Sequence, residues 1–555
     1  MTDWIDLAFG PVRWQVHPQW RDRLFDNHGL RFTEWQRNGD VAIVKQAPHR
    51  AVYRIALPLT THHSPLTIYV KHYPLNDLRA YFRQAVRPAK ARGEALKAMR
   101  LAALGIPTVE PVAIGAVARG ESWLITRGLD DVQQLNHFME NVAPQLSAEE
   151  SIRLRAALAD ALAEMLAKLH DAGVRHQDLH AGNILVRIAN LARPQLYLID
   201  LHAVRLGEAL DWPASRDNLV MLNRWFVQRS SRSDRLRFWH VYVKHRQWDG
   251  NFGLVRTRAR ELESATWQSC LAFWRNRDRR CLTSNRYFYR LRHRQNRAWA
   301  VREVGKEVLR HLLADPDAPF ANPGARIIKH SRSSTVAELS LEVGGHSRQL
   351  IYKRIMATKP SDPWLHLVRP TPALRSWVNG HRLLNCGMPT ARPLAVVHRR
   401  RAGLTHECYL LTEKLPDAVE LHKHVAGHCD RRQLLGLIEQ AAGLVRSLHD
   451  RQLSHRDLKA ANILVAQGKL WLIDLVGVER WRRLPHSRRV QNLGRLHTSF
   501  CNHPAISRTD KLRFLRTYLR WGLFGKGNWK SWWREVAQAT RKKLAKNQRR
   551  GRPVS

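Results

Sequence analysis

"HQDLHAGNIL" at residues 176–185 and "HRDLKAANIL" at residues 455–464 are two copies of one decapeptide in a single chain. In each, an Asp is followed five residues later by an Asn and then by a short apolar run. A lone Asp-x-x-x-x-Asn reads most simply as a solvated turn. Here each copy follows a long helical pattern and leads to a strand-like stretch, "LYLIDL" at 196–201 or "LWLIDL" at 470–475. That repeated context argues against a chance turn.

The decapeptide is the clearest part of a longer internal repeat. "GIPTVEPVAIG" at 105–115 answers "GMPTARPLAVV" at 387–397, and "SRSDRLRF" at 231–238 answers "SRTDKLRF" at 507–514. Solenoid repeats are far shorter than this spacing, so the period implies a duplicated domain. With 555 residues the chain is also too long for one ordinary hydrophobic core.

Each half has the same coarse layout. Three β-rich runs come first ("VAIVKQAP", "AVYRIALP" and "LTIYVKHY" in the first half), then a helical stretch that stops at Gly-hydrophobic-Pro-Thr. Gly closes a helix there and Pro prevents its continuation. Two further strands, including "SWLITRGL", lead into the amphipathic "AEESIRLRAALADALAEMLAKLHDAG". The decapeptide, a short hairpin ending in Ile-Asp-Leu and a helical remainder complete the half. The fold class is therefore α+β, a small β-rich lobe joined to a helical lobe, twice over. The expected domains are 1–245 and 321–535. Residues 246–320 form a basic, Trp-rich connecting helical segment that partly extends the second domain, and 536–555 form a basic tail.

The order Lys on a third strand, Glu on a helix, His-x-Asp-x-x-x-x-Asn, then Ile-Asp-Leu resembles the protein-kinase-like fold. Gly-hydrophobic-Pro-Thr, the Asn-Ile-Leu-Val strand, the brief segment after Ile-Asp-Leu and the late Leu-Arg-Phe helix are similar to the bacterial lipopolysaccharide kinase family, which phosphorylates the inner-core sugars Kdo and heptose. The resemblance covers about 1–245 and 260–520. It implies two tandem bilobal kinase-like domains that use ATP and Mg²⁺ on a lipopolysaccharide-core sugar or related anionic glycolipid.

Phosphoryl transfer asks a protein to align a nucleotide, neutralise spreading negative charge and orient one hydroxyl. On this resemblance Asp178 accepts the hydroxyl proton, Asn183 and Asp200 face the metal, and Lys71 holds the α- and β-phosphates with Glu94 as its partner. Oxygen ligands of this kind suit Mg²⁺. The second half offers Asp457, Asn462, Asp474 and Lys353, with Lys459 two residues beyond Asp457 to steady the transferring phosphate. His176 and His455 brace the loop. Counting back from Gly387 reaches Ser376 where the first half has Glu94, so the second half lacks the ion pair that positions its Lys.

Neither half has G-x-G-x-x-G. The equivalent hairpins, "VKQAPHRAV" and "IKHSRSSTV", keep Lys45 and Lys329 in register, and a purely structural hairpin accounts for them equally well. No long segment ending in Ala-Pro-Glu follows Ile-Asp-Leu, which disfavours a peptide-docking platform and favours a small, sugar-like or lipid-linked acceptor.

Against 47 Asp and Glu stand 92 Lys and Arg, a formal charge of +45. Such a surface attracts phosphate-rich partners, and basic Trp-bearing segments at 273–299 and 527–552 suit an anionic membrane surface or equally plain helix packing with a basic tail. Six cysteines without a C-x-x-C pair indicate reduced thiols. With no basic n-region before an apolar stretch and no 18-residue apolar window, the expectation is a cytoplasmic protein, peripheral on the inner membrane face. A protein or aminoglycoside-type kinase, and a regulatory pseudokinase half or basic RNA-binding module, are the rival readings.

Overall fold

Alternating burial along the strands builds the first sheet. In Leu66–Tyr73, Ile68 and Val70 are buried on one face while Tyr69, Lys71 and Tyr73 point to the other, the period-2 pattern of a strand. The computed structural model describes residues 4–57, 66–75, 89–118, 120–427, 429–520 and 528–551. The chain divides into two compact units, 1–270 and 271–555.

The first unit begins with a seven-stranded antiparallel sheet of β1 (Ile5–Phe9), β2 (Val12–Val16), β3 (Val41–Ala47), β4 (Arg50–Leu57), β5 (Leu66–Tyr73), β6 (Pro111–Val117) and β7 (Ser122–Arg127). Its order is β1-β2-β6-β7-β5-β4-β3. Trp14, Trp20, Phe25 and Trp35 pack on one face with Ile55 and Val70. Helix α1 (Lys90–Ala103) lies on the other, burying Ala91, Glu94, Ala95, Ala98 and Leu101 at helical spacing. Glu94 is therefore carried on the sheet-facing stripe.

The helical lobe is built on α2 (Ala148–Asp171), whose start is fixed by a capping box between Ser147 and Glu150. Leu154, Leu158, Leu162, Leu166 and Leu169 bury its inner face against α3 (Trp212–Phe226), α4 (Arg232–His245) and α5 (Phe252–Arg277). Gly173, at φ +69°, ends the turn after α2 where a Cβ would lie 1.9 Å from the Gly207 carbonyl oxygen. Only glycine fits that approach.

The second unit repeats the plan. Strands β8 (Phe288–His293), β9 (Asn296–Val301), β10 (Arg326–Ser331), β11 (Ser334–Val343), β12 (His346–Met356), β13 (Pro393–Arg401) and β14 (Leu404–Glu413) pair in the order β8-β9-β13-β14-β12-β11-β10. Helix α6 (Pro372–Asn385) covers this sheet, and α7 (Arg431–Asp450), α8 (His486–Thr498), α9 (Arg508–Arg520) and α10 (Trp529–Gln548) form the helical lobe.

Two stretches depart from the sequence expectation. Much of the basic segment at 273–299 is strand, because Tyr289, Ala298 and Ala300 alternate inward while Arg290 and Arg292 face solvent. Residues 536–548, expected as tail, are the second part of α10, with Val536 and Thr540 buried and Thr540 Oγ1 donating to the Gly494 carbonyl oxygen at 3.3 Å. The final residues 552–555 lie outside the described set. No described helix is long and apolar enough to cross a membrane.

Candidate active site

Each decapeptide forms a loop between a three-residue strand and a short strand, and its histidine supports it from within. Val174–His176 pairs with Val204–Leu206, and Leu453–His455 with Val478–Arg480. The Asp178 backbone N–H donates to His176 Nδ1 at 3.2 Å, leaving His176 Nε2 to donate to the Ile199 carbonyl oxygen at 3.3 Å. His455 repeats both bonds with Asp457 (3.1 Å) and Ile473 (3.3 Å). Burial holds both histidines below their ordinary pKa, as suits a neutral ring with one donor and one acceptor. They join the loop to the strand ahead of Asp200 or Asp474.

This bracing leaves Asp178 and Asp457 exposed at the loop surface. Asn183 and Asn462 are buried, and each Nδ2 donates to the carbonyl oxygen of its aspartate, Asp178 or Asp457, at 2.8 Å. The bond orients the amide and leaves Oδ1 as an available acceptor. Asp200 and Asp474 sit in the left-handed region at φ +64° and +52°. A non-glycine residue held there in both copies marks a position imposed by its surroundings.

The Gly-hydrophobic-Pro-Thr motif now has a physical role. Thr108 Oγ1 donates to the Leu198 carbonyl oxygen at 2.6 Å and Thr390 Oγ1 to that of Leu472 at 2.7 Å. Each threonine pins the strand that delivers the aspartate.

The two sheets contribute differently. In the first unit Lys71 Nζ lies 2.5 Å from Glu94 Oε1, and the Tyr73 hydroxyl donates to the other carboxylate oxygen. Burial pushes the Glu94 carboxyl up, but the Lys71 charge and the two hydrogen bonds outweigh it and hold the group below its ordinary value. Arg50, at the first position of β4, lies 2.5 Å from Asp200 Oδ1, and His202 Nδ1 lies 2.8 Å from the same oxygen. Burial raises the Asp200 pKa, yet the hydrogen bonds from His202 and Arg50 pull it far below the carboxylate range. In the second unit Ser376 is buried in the place of Glu94, and Lys353 Nζ lies 3.5 Å from Asp474 Oδ1 instead. Lys459 Nζ lies 3.5 Å from Asp457 Oδ2.

Sequence reasoning missed Arg50, Tyr73 and His202. It also missed a buried network behind the loop. His170 bonds the Tyr242 hydroxyl (2.8 Å) and Asn218 Oδ1 (3.2 Å), and Asn218 Nδ2 donates to the His176 carbonyl oxygen at 2.6 Å. His449, Tyr518 and Asn492 repeat the first two distances, and Asn492 Oδ1 accepts from the His455 backbone N–H at 3.0 Å. Its signal was present in the repeat, since each of the three residue types recurs at the matching place in both halves.

Among the described residues no cluster of three or more His, Cys, Asp and Glu side chains could hold a metal unaided. The oxygen set at hand is one carboxylate and one oriented amide per unit, Asp200 with Asn183 and Asp474 with Asn462. That fits a hard divalent cation completing its shell with water and phosphate oxygens.

A sheet-borne lysine, an exposed loop aspartate and an aspartate–asparagine pair beneath a β-rich lobe define a protein-kinase-like fold, present twice. The family model "Lipopolysaccharide kinase (Kdo/WaaP) family" matches residues 43–242 and 326–518, and the chain belongs to that family. Among relatives, a 3-deoxy-D-manno-octulosonic acid kinase of Haemophilus influenzae (strain PittEE) is 32% identical over 139 residues, 23% of this chain and 54% of that protein. The lipopolysaccharide core heptose(I) kinase WaaP of Pseudomonas aeruginosa is 28% identical over 160 residues, 27% of this chain and 59% of that protein. The chain thus spans about half the length of the curated relatives it matches. A solved structure, WaaP in complex with acyl carrier protein, aligns with a TM-score of 0.32 at 21% identity, over 45% of this chain and 97% of that one.

Proposed function

We propose that the chain is an ATP-dependent phosphotransferase acting on a hydroxyl of a lipopolysaccharide inner-core sugar or related glycolipid at the cytoplasmic membrane face. The observation that carries this reading is the complete set in the first unit: the Lys71–Glu94 pair, Asp178 at the loop surface, and Asn183 with Asp200. Lys71, fixed by Glu94, binds the α- and β-phosphates. Asp178 accepts the proton of the attacking hydroxyl. Asn183 and Asp200, and in the second unit Asn462 and Asp474, would hold Mg²⁺, which neutralises charge on the transferring phosphoryl group. Nucleotide entry requires Arg50 to leave Asp200, and the guanidinium then has phosphate oxygens as its nearest anions.

The short path from Asp200 to α3 supports a small acceptor. After a strand at Val204–Leu206 the chain enters the helix at Trp212, which leaves no span for a peptide-docking segment. The test is transfer of labelled phosphate from ATP to purified core glycolipid by the full-length chain. Asp178→Asn should lower first-unit turnover by about 10²- to 10⁴-fold. Undiminished transfer in the Asp178→Asn, Asp457→Asn double variant would overturn the assignment.

A further inference from the structure

The two catalytic loops differ in charge. In the second unit Arg456 and Lys459 flank Asp457, and α8 places Arg495 one helical turn beyond Asn492, the residue that bonds the loop at His455. The corresponding residues of the first unit are Gln177, His180 and Met221. Asp457 and Glu479 are the carboxylates facing this group, and the place of Glu479 is taken in the first unit by Arg205.

Most of these cations are already engaged. Arg456 Nε lies 3.2 Å from Glu479 Oε1, and Lys459 lies 3.5 Å from Asp457. Arg495 is the exception: its Nη1 is buried with no hydrogen-bond partner among the described residues. Arg375, on α6, has a buried Nε in the same condition and feels the Arg456 charge. A buried N–H without an acceptor is costly, and more so on a charged group. Burial pushes the Arg495 pKa down, and Arg488 and Arg456 add to that against the pull of Asp457 and Glu479. One N–H of the charged group thus has no acceptor among the described residues.

We propose that the second unit recognises an oxyanion already present on its acceptor, beside the reacting hydroxyl, and so acts on the phosphomonoester product of an earlier kinase step. This rests on the phosphotransferase reading above. A guanidinium fork matches both carboxylate and phosphate. The charge count selects phosphate: among the described residues Arg375, Arg456, Lys459 and Arg495 face only Asp457 and Glu479, a surplus of two positive charges, which a monoester at about −1.5 to −2 matches and a carboxylate at −1 does not. In the step itself the acceptor oxygen forms a new bond to the terminal phosphorus of ATP and the bond to the bridging oxygen breaks. ADP leaves with that electron pair, and the hydroxyl proton passes to Asp457. The first unit, with Gln177, His180 and Met221 at these places, is suited to an acceptor lacking that phosphate. Its reaction class supplies what the second unit consumes.

The test uses full-length Asp178→Asn protein, which silences the first unit, with three acceptors: a neutral pyranoside, the same glycoside bearing one phosphomonoester, and the same glycoside bearing a carboxylate. Transfer should favour the phosphomonoester over both others. Arg495→Met should weaken kcat/KM for it by about 30-fold or more while barely changing the neutral glycoside, and Arg495→Lys should recover part of the loss. Calorimetric binding of the phosphomonoester, with the neutral glycoside as control, should show the same dependence without turnover. Equal preference for neutral and phosphorylated acceptors, or an Arg495→Met loss that ignores acceptor charge, overturns the proposal. A preference for the carboxylate overturns its phosphate source. Absence of transfer by the wild-type chain to any acceptor removes the kinase reading and this proposal together.

Discussion

Replacing Glu94 with serine, the residue in its place in the second unit, removes one partner of an ion pair that is almost wholly enclosed. Glu94 is 2% exposed and the Lys71 side chain 12%. Breaking such a pair from one side typically costs about 3–5 kcal/mol, because the remaining charge stays buried. The second unit shows the available relaxation: Lys353, lacking a glutamate, lies 3.5 Å from Asp474. In the first unit Asp200 is already held by Arg50 and His202, so Lys71 would have to share it, and the cost falls at the lower end, near 3 kcal/mol. For a unit of this size that is a fall in melting temperature of roughly 6–12 °C, read by calorimetry of the full-length chain. Acid adds a signed check. The folded pKa of Glu94 lies below its ordinary 4.5, so the pair's contribution is complete above that value and is lost as pH falls through the lowered folded pKa. The difference between wild type and variant should hold at neutral pH and shrink only below about pH 4.5. A melting temperature unchanged at pH 7, or a difference that grows on acidification, would refute the reasoning.

Arg50→Ser, which installs the residue at the matching position of β11, frees Asp200 from its guanidinium. In an Asp474→Asn background Mn²⁺ should bind more tightly, on the order of tenfold or about 1.4 kcal/mol, by titration calorimetry. Asn218→Ala cuts the 2.6 Å bond to the His176 carbonyl and should lower first-unit turnover by roughly 10- to 100-fold at unchanged ATP affinity; a loss confined to KM for ATP would count against this positioning role. Burial holds His170 neutral with a pKa of about 4 and His449 with one of about 3. The unfolded chain binds those protons first, so stability should fall on acidification below about pH 6.5, by up to about 1.4 kcal/mol per pH unit for each histidine, and a flat stability profile from pH 6.5 to 4 would contradict it.

The lobes and both decapeptide loops were legible in the sequence because their signals are local: a period of two in Leu66–Tyr73, a period of 3.6 in α2, and a motif of fixed spacing. The absent glutamate at Ser376 was legible for another reason, as the repeat supplied its own reference. The β8–β9 hairpin was missed because arginines dominate its outward positions and mask the alternating Tyr289, Ala298 and Ala300. Arg50 was invisible as a partner of Asp200 because 150 residues separate them and only the closure of sheet over loop joins them. Lys97 and Asn379 show the same limit. Lys97 Nζ donates to the His202 carbonyl oxygen at 3.1 Å and Asn379 Nδ2 to that of Leu475 at 2.8 Å. Equivalent helices thus tie down equivalent segments with unlike side chains, and no pairwise comparison of the halves reveals that.

What the duplication preserved and what it let go follow from where charge is buried. Asp171 and Asp450 follow the two network histidines, and each accepts from a buried guanidinium. The first unit supplies Arg246 from the end of α4, 2.7 Å from Asp171, and the second supplies Arg446 from within α7, 2.9 Å from Asp450. Both guanidinium groups also lie over the network tyrosine, at 5.8 Å from Tyr242 and 5.4 Å from Tyr518. The source moved from one helix to another while the interaction stayed. A buried guanidinium in that frame demands an acceptor, and the frame fixes the strand and loop that carry Asp178 or Asp457. The loss of glutamate at Ser376 was met differently: Lys353 turned to Asp474. The frames behind the two loops are therefore under the same physical constraint, whereas the lysine pairing and the charge around Asp178 and Asp457 are free to diverge. Lys353 and the Arg456, Lys459 and Arg495 group accordingly differ from their first-unit counterparts, whereas His455 makes the same two bonds as His176 and Asn462 the same bond as Asn183.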